Sequence, residues 1–145
     1  MGNKGKRTEK LKPPADAVLA EFVCDVCKER AATVALVPPA AAFPMGPPLG
    51  DDVSDRWGLW VDAPHFHTRW EALAENDVAE IRSALTERDS RSLFRLADSS
   101  MSFYCPKCDA WYCHDHWKLT DKFDEGFYDC TYGVCPAGHK RMVDD

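Results

Sequence analysis

The chain has 145 residues and a formal net charge of −6, with 45% hydrophobic and 29% charged residues, as is ordinary for one globular domain. No apolar run approaches the roughly 18 residues that a membrane-spanning helix needs, and no apolar segment follows the charged N-terminus as in a secretory signal. We therefore expect a soluble, cytoplasmic protein without a membrane partner. The acidic balance disfavours nucleic acid as a partner.

The cysteine count is the unusual feature of this composition. There are seven cysteines, an odd number, and the chain has no export signal, so a disulfide framework is disfavoured. Cysteines that cluster in a chain kept in a reducing compartment are more often metal ligands.

The first third of the chain predicts a flexible leader followed by a hairpin. Residues 1–16 form the basic leader, which ends after Pro13-Pro14. The segment 18–23 is typical of a strand, and 32–37 of its antiparallel partner. Between them lies the pair Cys24 and Cys27. A C-x-x-C pair in a hairpin turn directs both sulfurs to one side, as in a zinc knuckle.

Residues 38–101 are predicted to form an insertion with a Pro-rich loop, a short strand and helices. Five prolines between residues 38 and 50 exclude helix and central strand. The aromatic segment 57–61 favours a strand. His65 and His67 would lie on one face of an extended segment, where a structural or exposed role is favoured over metal binding.

The helical part of the insertion begins with a short helix whose apolar face is Trp70, Leu73 and Ala74. Asp77 then resembles an N-cap, with Glu80 three residues later as in a capping box. Val78, Ile81 and Leu85 continue at helical spacing, and a further helix is predicted from Ser90 through Ala97.

Four closely spaced ligand pairs predict metal binding. Zinc takes four Cys or His ligands in a tetrahedron, and eight candidate ligands fill two such sites. We therefore predict two zinc ions. The pairs are Cys24 with Cys27, Cys105 with Cys108, Cys113 with His116, and Cys135 with His139.

The spacing of the pairs indicates which ones share an ion. Only four residues lie between Cys108 and Cys113, so the second and third pairs cannot easily fold back onto one ion. The predicted arrangement is therefore interleaved. Site one consists of Cys24, Cys27, Cys113 and His116, and site two of Cys105, Cys108, Cys135 and His139.

This interleaved pattern resembles the cross-brace zinc fingers, namely the RING, PHD and FYVE families. The segment Cys24-Asp25-Val26-Cys27 is similar to the RING pattern C-x-[I/V/L]-C. The segment from Cys135-Pro136 to His139-Lys140-Arg141 is similar to C-P-x-C-[R/K], and the run CPKCDAWYC resembles fragments of RING-between-RING ligases. The resemblance covers residues 18–37 and 102–141.

The resemblance implies a small α+β fold: a zinc-stabilised, RING-like (treble-clef or cross-brace) domain with a helical insertion. The domain would consist of residues 17–37 and 102–145, interrupted by the insertion 38–101. The chain departs from the RING pattern in the 77 residues between the first two pairs, in the histidines that end the last two pairs, and in the three residues within the last pair.

By resemblance, the function would be that of a RING-like E3 ligase. Such a protein binds a conjugating enzyme charged with ubiquitin or a ubiquitin-like modifier and orients the thioester for transfer to a substrate. Val26 would contact the conjugating enzyme, and Lys140 or Arg141 the modifier. Trp117, where a short helix is expected after His116, would anchor a partner or pack over the zinc site. The alternative is a non-enzymatic zinc-binding module that binds proteins, as PHD- or FYVE-like domains do.

Cys130 has no place among the eight ligands. It lies five residues before Cys135 and would replace Cys135 or His139 as a ligand, remain a free thiol, or accept the modifier covalently as in RING-between-RING ligases. No base is recognisable beside it. His114 is interpreted as a surface residue or as support for a metal ligand.

Overall fold

The computed structural model describes residues 16–39, 55–64 and 67–144. The predicted leader up to residue 15, the Pro-rich loop from residue 40, His65 and the side chain of His67 lie outside this part of the chain. The predictions about them therefore stay predictions.

An antiparallel sheet of four strands forms the first half of the fold. Its strands follow one another in the order β1 (Val18–Val23), β2 (Arg30–Val37), β3 (Gly58–Ala63) and β4 (His67–Ala72). The predicted hairpin and the aromatic strand that follows it are confirmed. Strand β2 is buried on both faces from residue 31 onward, as its unbroken run of small and apolar residues requires.

The prediction of a short helix around Trp70 is wrong, because Trp70 lies in β4. It pairs directly with Trp60 of β3, and its indole covers Gly58, where an added Cβ would lie 2.2 Å from Trp70 Nε1. Helical spacing over only five residues is weak, and the packing of the indole on a neighbouring strand outweighs it.

Two helices follow the sheet, α1 (Glu75–Glu87) and α2 (Ser90–Leu96). Both were predicted, and their buried residues Ile81, Leu85 and Leu93 contribute to the core. The prediction that Asp77 caps α1 is wrong. The cap position is Ala74, and Asp77 lies in the first helical turn, where its carboxylate faces the positive end of the helix dipole.

A short 3-10 helix (Asp98–Ser100) leads into two smaller sheets. Strands β5 (Tyr104–Cys105) and β6 (Ala110–Trp111) form one, and β7 (Lys118–Asp124), β8 (Phe127–Val134) and β9 (Lys140–Asp144) form the other. The helix predicted after His116 is wrong, because β7 begins there. Left-handed backbone at Glu125 (φ 48°) and Gly126 (φ 86°) makes the tight β7–β8 turn whose twist suits a hairpin.

One apolar core joins these parts. Phe22 of β1 stacks on Trp111 of β6 with ring centroids 4.5 Å apart, and Tyr104 of β5 lies 5.7 Å from Phe94 of α2. The fold is therefore mostly β, with two helices. The predicted insertion supplies β3 and β4, which share a sheet with β1 and β2. The division into domains stays a prediction.

Neither described helix is both long and apolar enough to cross a membrane.

Candidate metal centres

Site one brings together two pairs that are far apart in the sequence. Its four ligand atoms, from Cys24, Cys27, Cys113 and His116, all lie within 4.8 Å of one another. The sulfurs of Cys27 and Cys113 are 3.7 Å apart. His116 Nδ1 lies 3.5 Å from the Cys24 sulfur and 3.1 Å from the Cys113 sulfur.

Site two has the same composition and nearly the same geometry. Cys105, Cys108, Cys135 and His139 place their ligand atoms within 4.8 Å of one another. The sulfurs of Cys108 and Cys135 are 3.7 Å apart. His139 Nδ1 lies 3.2–3.6 Å from the three sulfurs. The structure thus assembles the two ligand sets that the spacing predicted.

These separations fit one tetrahedral ion in each site. Zinc bonds of about 2.3 Å to sulfur and 2.0–2.1 Å to nitrogen imply edges of about 3.8 Å between sulfurs and about 3.5 Å between sulfur and nitrogen. The Cys27–Cys113 and Cys108–Cys135 sulfur–sulfur distances are both 3.7 Å. The chain therefore positions two Cys3His groups that could hold two metal ions.

The two C-x-x-C turns reach this geometry in the same way. In each, the residue after the second cysteine has a left-handed backbone, with φ 64° at Lys28 and φ 50° at Asp109. The first turn is closed by the Cys24 N–H, which donates to the Glu29 carbonyl at 2.7 Å, and by the Lys28 N–H, which donates to the Cys24 carbonyl.

The last pair accommodates its third intervening residue with a glycine. The Cys135 N–H donates to the His139 carbonyl at 2.9 Å, and the Gly138 N–H donates back to the Cys135 carbonyl. Gly138 has φ 89°, where a side chain would be strained. This turn brings His139 back to Cys135 although the spacing differs from that of the other pairs.

Backbone amides favour one thiolate in each site. Burial alone would raise the pKa of Cys24, but backbone N–H groups of Cys113, Cys27 and Val26 donate to its sulfur and lower the pKa to about 7. In site two, N–H groups of His139 and Ala137 likewise outweigh burial and lower the pKa of Cys135.

Two other ligand thiols show the opposite direction. Burial raises the pKa of Cys113 and that of Cys105 to about 11. A positive ion is what allows neighbouring thiolates of this kind to coexist, since a metal-bound thiol is deprotonated outright.

Two of the predicted partner residues are exposed, and the side chains of the other two point inward. The Val26 side chain is 52% exposed, and Lys140 is also exposed. Trp117 is only 3% exposed, and its Nε1–H donates to the Phe103 carbonyl at 3.2 Å. Of its two predicted roles, the structure favours packing.

Arg141 is also directed inward. Its guanidinium donates to the carbonyls of Met101, at 2.8 Å, and Tyr104. It lies over the ring of Phe94, 5.1 Å from the centroid, and burial lowers its pKa. Arg141 therefore joins β9 to β5 and to the segment before it.

Cys130 lies in β8 opposite Lys122, outside both metal groups. It is buried, and its thiol donates to the Asp129 carboxylate at 3.7 Å. His114 places Nε2 3.2 Å from the Asp115 carboxylate and is not part of site one.

The sheet of β7, β8 and β9, which carries the last ligand pair, was not predicted. The aromatic and β-branched residues of the segment 127–134, directly after Gly126, were the available signal.

Comparisons with known proteins place this arrangement in a family. No curated protein and no solved structure gave a match. A family model described as "Domain of unknown function (DUF8328)" matches residues 15–145, which include both metal groups and every described strand and helix. The chain therefore belongs to the DUF8328 family.

Proposed function

We propose that sites one and two each bind a structural zinc ion and that the chain is a zinc-stabilised protein-interaction module. The observation that carries this proposal is the pair of complete Cys3His sets, with ligand atoms within 4.8 Å. Cys3His is a composition typical of structural zinc. Four protein ligands leave no position for a water or a substrate, so the ions would hold the chain together and not act as Lewis acids.

Metal stoichiometry tests this proposal. The full chain, purified without added metal chelator, is analysed by mass spectrometry for zinc per folded chain. We expect two zinc ions, both released when the thiols are titrated with a mercurial reagent. One zinc or none would overturn the two-site assignment, and a different resident metal would overturn the identity of the ion.

A RING-like E3 ligase is the second candidate. Two exposed residues that directly neighbour metal ligands support it. Val26 lies beside Cys27, and Lys140 directly follows His139, and both are exposed. In the ligase reading, Val26 contacts a conjugating enzyme and Lys140 contacts its modifier, while the zinc scaffold fixes the orientation of the thioester.

A discharge assay separates the two candidates. Conjugating enzymes charged with ubiquitin or a ubiquitin-like modifier are mixed with the zinc-loaded chain, and thioester loss is followed. A ligase predicts faster discharge that Val26→Ala or Lys140→Ala abolishes while zinc content is retained. Leu19→Ala is the matched control, because Leu19 is similarly exposed at 43% but lies in β1. If the chain left the rate of discharge unchanged with every conjugating enzyme tried, the ligase hypothesis would be rejected. The protein-interaction module would then be the remaining candidate.

A further inference from the structure

The sheet of β7, β8 and β9 has one face on the core and one in solvent. A Cβ at Gly133 would lie 2.9 Å from the Trp117 side chain and 3.1 Å from Val143, so Gly133 faces the core. Side chains alternate along a strand, and Tyr132 therefore faces outward. We call the outward surface the outer face. The strand registers and the alternation along β7 place on it Lys118, Thr120, Lys122, Asp124, Cys130, Tyr132, Val134, Lys140 and Met142.

Three lysines from two strands make the outer face basic. Lys122 Nζ lies 5.2 Å and Lys140 Nζ 4.6 Å from the centroid of Tyr132. Lys118 and Lys140 both pair with Val134, one from each side. Met142, which pairs with Tyr132, is 44% exposed and adds an apolar contact. Three lysines outnumber Asp124 on this face, so it is positive although the whole chain carries −6.

Strand β7 is also an open edge of the sheet. Among the described residues it pairs only with β8, and all of its residues except Leu119 are exposed. The outward N–H and C=O groups of an edge strand can pair with an extended segment of another protein. An added strand would carry alternate side chains over the outer face, opposite Lys118 and Lys122.

We propose that an extended, acidic protein segment binds along β7, with its carboxylates on Lys118 and Lys122. Charge complementarity and the open edge favour this partner. Nucleic acid is disfavoured, since two lysines already cover Tyr132, the aromatic ring on which a base would stack, and the negative net charge repels a phosphate chain. The proposal rests on the proposed function, because the site-two turn at Cys135 and His139 joins β8 to β9.

Peptide titration of the zinc-loaded, ¹⁵N-labelled full chain tests the inference. The probe is a short alternating Glu–Thr peptide, compared with its Lys–Thr counterpart and with a single-stranded oligonucleotide. We expect the acidic peptide alone to shift amide resonances of β7 and of outer-face residues, and its affinity to fall as salt is raised. No binding of the acidic peptide, or equal binding of the oligonucleotide at the same amides, would overturn the inference.

Charge-reversal variants locate the site. Lys118→Glu/Lys122→Glu is expected to weaken peptide binding about tenfold or more. The control Arg56→Glu/Lys107→Glu changes net charge equally at exposed residues outside this sheet and is expected to change affinity by less than about twofold. If both variants lost affinity for the peptide equally, the loss would be due to the change in net charge, and the proposed site would be rejected. Two bound zinc ions without peptide binding would overturn this inference alone, whereas a chain without zinc would overturn the proposed function.

Discussion

Sites one and two have the same ligand composition, but they close loops of very different length. In site one, Cys24 and His116 are 92 residues apart, whereas Cys105 and His139 of site two are 34 apart. The loop-closure entropy for these lengths differs by only about 0.9 kcal/mol. The two sites therefore differ mainly in the contacts that support them.

Site one is supported by contacts that do not involve the metal ligands. The Asp25 N–H donates to the Trp111 carbonyl at 2.8 Å, and Phe22 stacks on the Trp111 ring. Site two lies between the two-residue strands β5 and β6 and the turn between β8 and β9. Strands that short cannot persist alone, so without its ion site two depends on the Arg141 hydrogen bonds to the Met101 and Tyr104 carbonyls.

Removing both ions should have the largest effect. Apparent zinc binding of about 10–16 kcal/mol per site in finger peptides rivals the whole net stability of a domain, about 5–15 kcal/mol. We expect a strong chelator to unfold residues 104–144, with loss of hydrogen-exchange protection there and a lower melting temperature. Melting that a chelator leaves unchanged would contradict the structural role of the ions.

Single-ligand variants compare the two sites directly. Cys27→Ser and Cys108→Ser should each reduce zinc content from two ions to one. We expect Cys108→Ser to lower the melting temperature more, because site one keeps the Asp25 and Phe22 contacts with Trp111. Thermal unfolding alongside metal analysis checks this. A larger fall in melting temperature for Cys27→Ser would show that closing the longer loop contributes more to stability than the contacts with Trp111 do.

Arg141 and Lys140, neighbours beside site two, give the next contrast. Arg141→Met removes two hydrogen bonds to backbone carbonyls and should cost about 2–4 kcal/mol of unfolding free energy. Lys140→Met is the matched control and should be nearly neutral, since Lys140 is exposed. Urea unfolding of both variants measures the difference. Equal stabilities would mean that the Arg141 hydrogen bonds are not needed to hold β9.

The smallest effect is expected at Cys130. Cys130→Ala should keep two zinc ions and lose about 1 kcal/mol, as an average buried substitution does. Metal analysis and urea unfolding check both values. A zinc content of one ion per chain would show that Cys130 is a ligand of site two. The two sites would then differ in their ligands as well as in their supporting contacts.

The ligand sets were predictable because metal chemistry leaves a local signature. Two intervening residues between Cys24 and Cys27, or between Cys105 and Cys108, fix a turn irrespective of the rest of the fold. The four-residue gap before Cys113 then constrains the pairing. The long helix α1 was predictable for a related reason, since Val78, Ile81 and Leu85 recur at helical spacing over about two turns.

The failures involve short segments whose structure is set by contacts with other segments and not by their own residue pattern. Trp70 belongs to a strand because Trp60 lies beside it, and no local pattern records that neighbour. Trp117 precedes a strand for the same reason, since β7 is fixed by pairing with β8. Arg141 matched a RING pattern by position, yet its direction depends on the carbonyls of Met101 and Tyr104, which only the folded chain brings near.

The interleaving of the ligand pairs has a consequence for synthesis. The β1–β2 hairpin can form early during synthesis. Cys113, which completes site one together with Cys27, is synthesised 86 residues later. Synthesis proceeds at about 5–20 residues per second, so the thiols of Cys24 and Cys27 lack the other two ligands of site one for roughly 4–17 s. Site one cannot acquire its full coordination until His116 has emerged, and site two until His139 has emerged. Metal loading of each site therefore follows the synthesis of its last ligand.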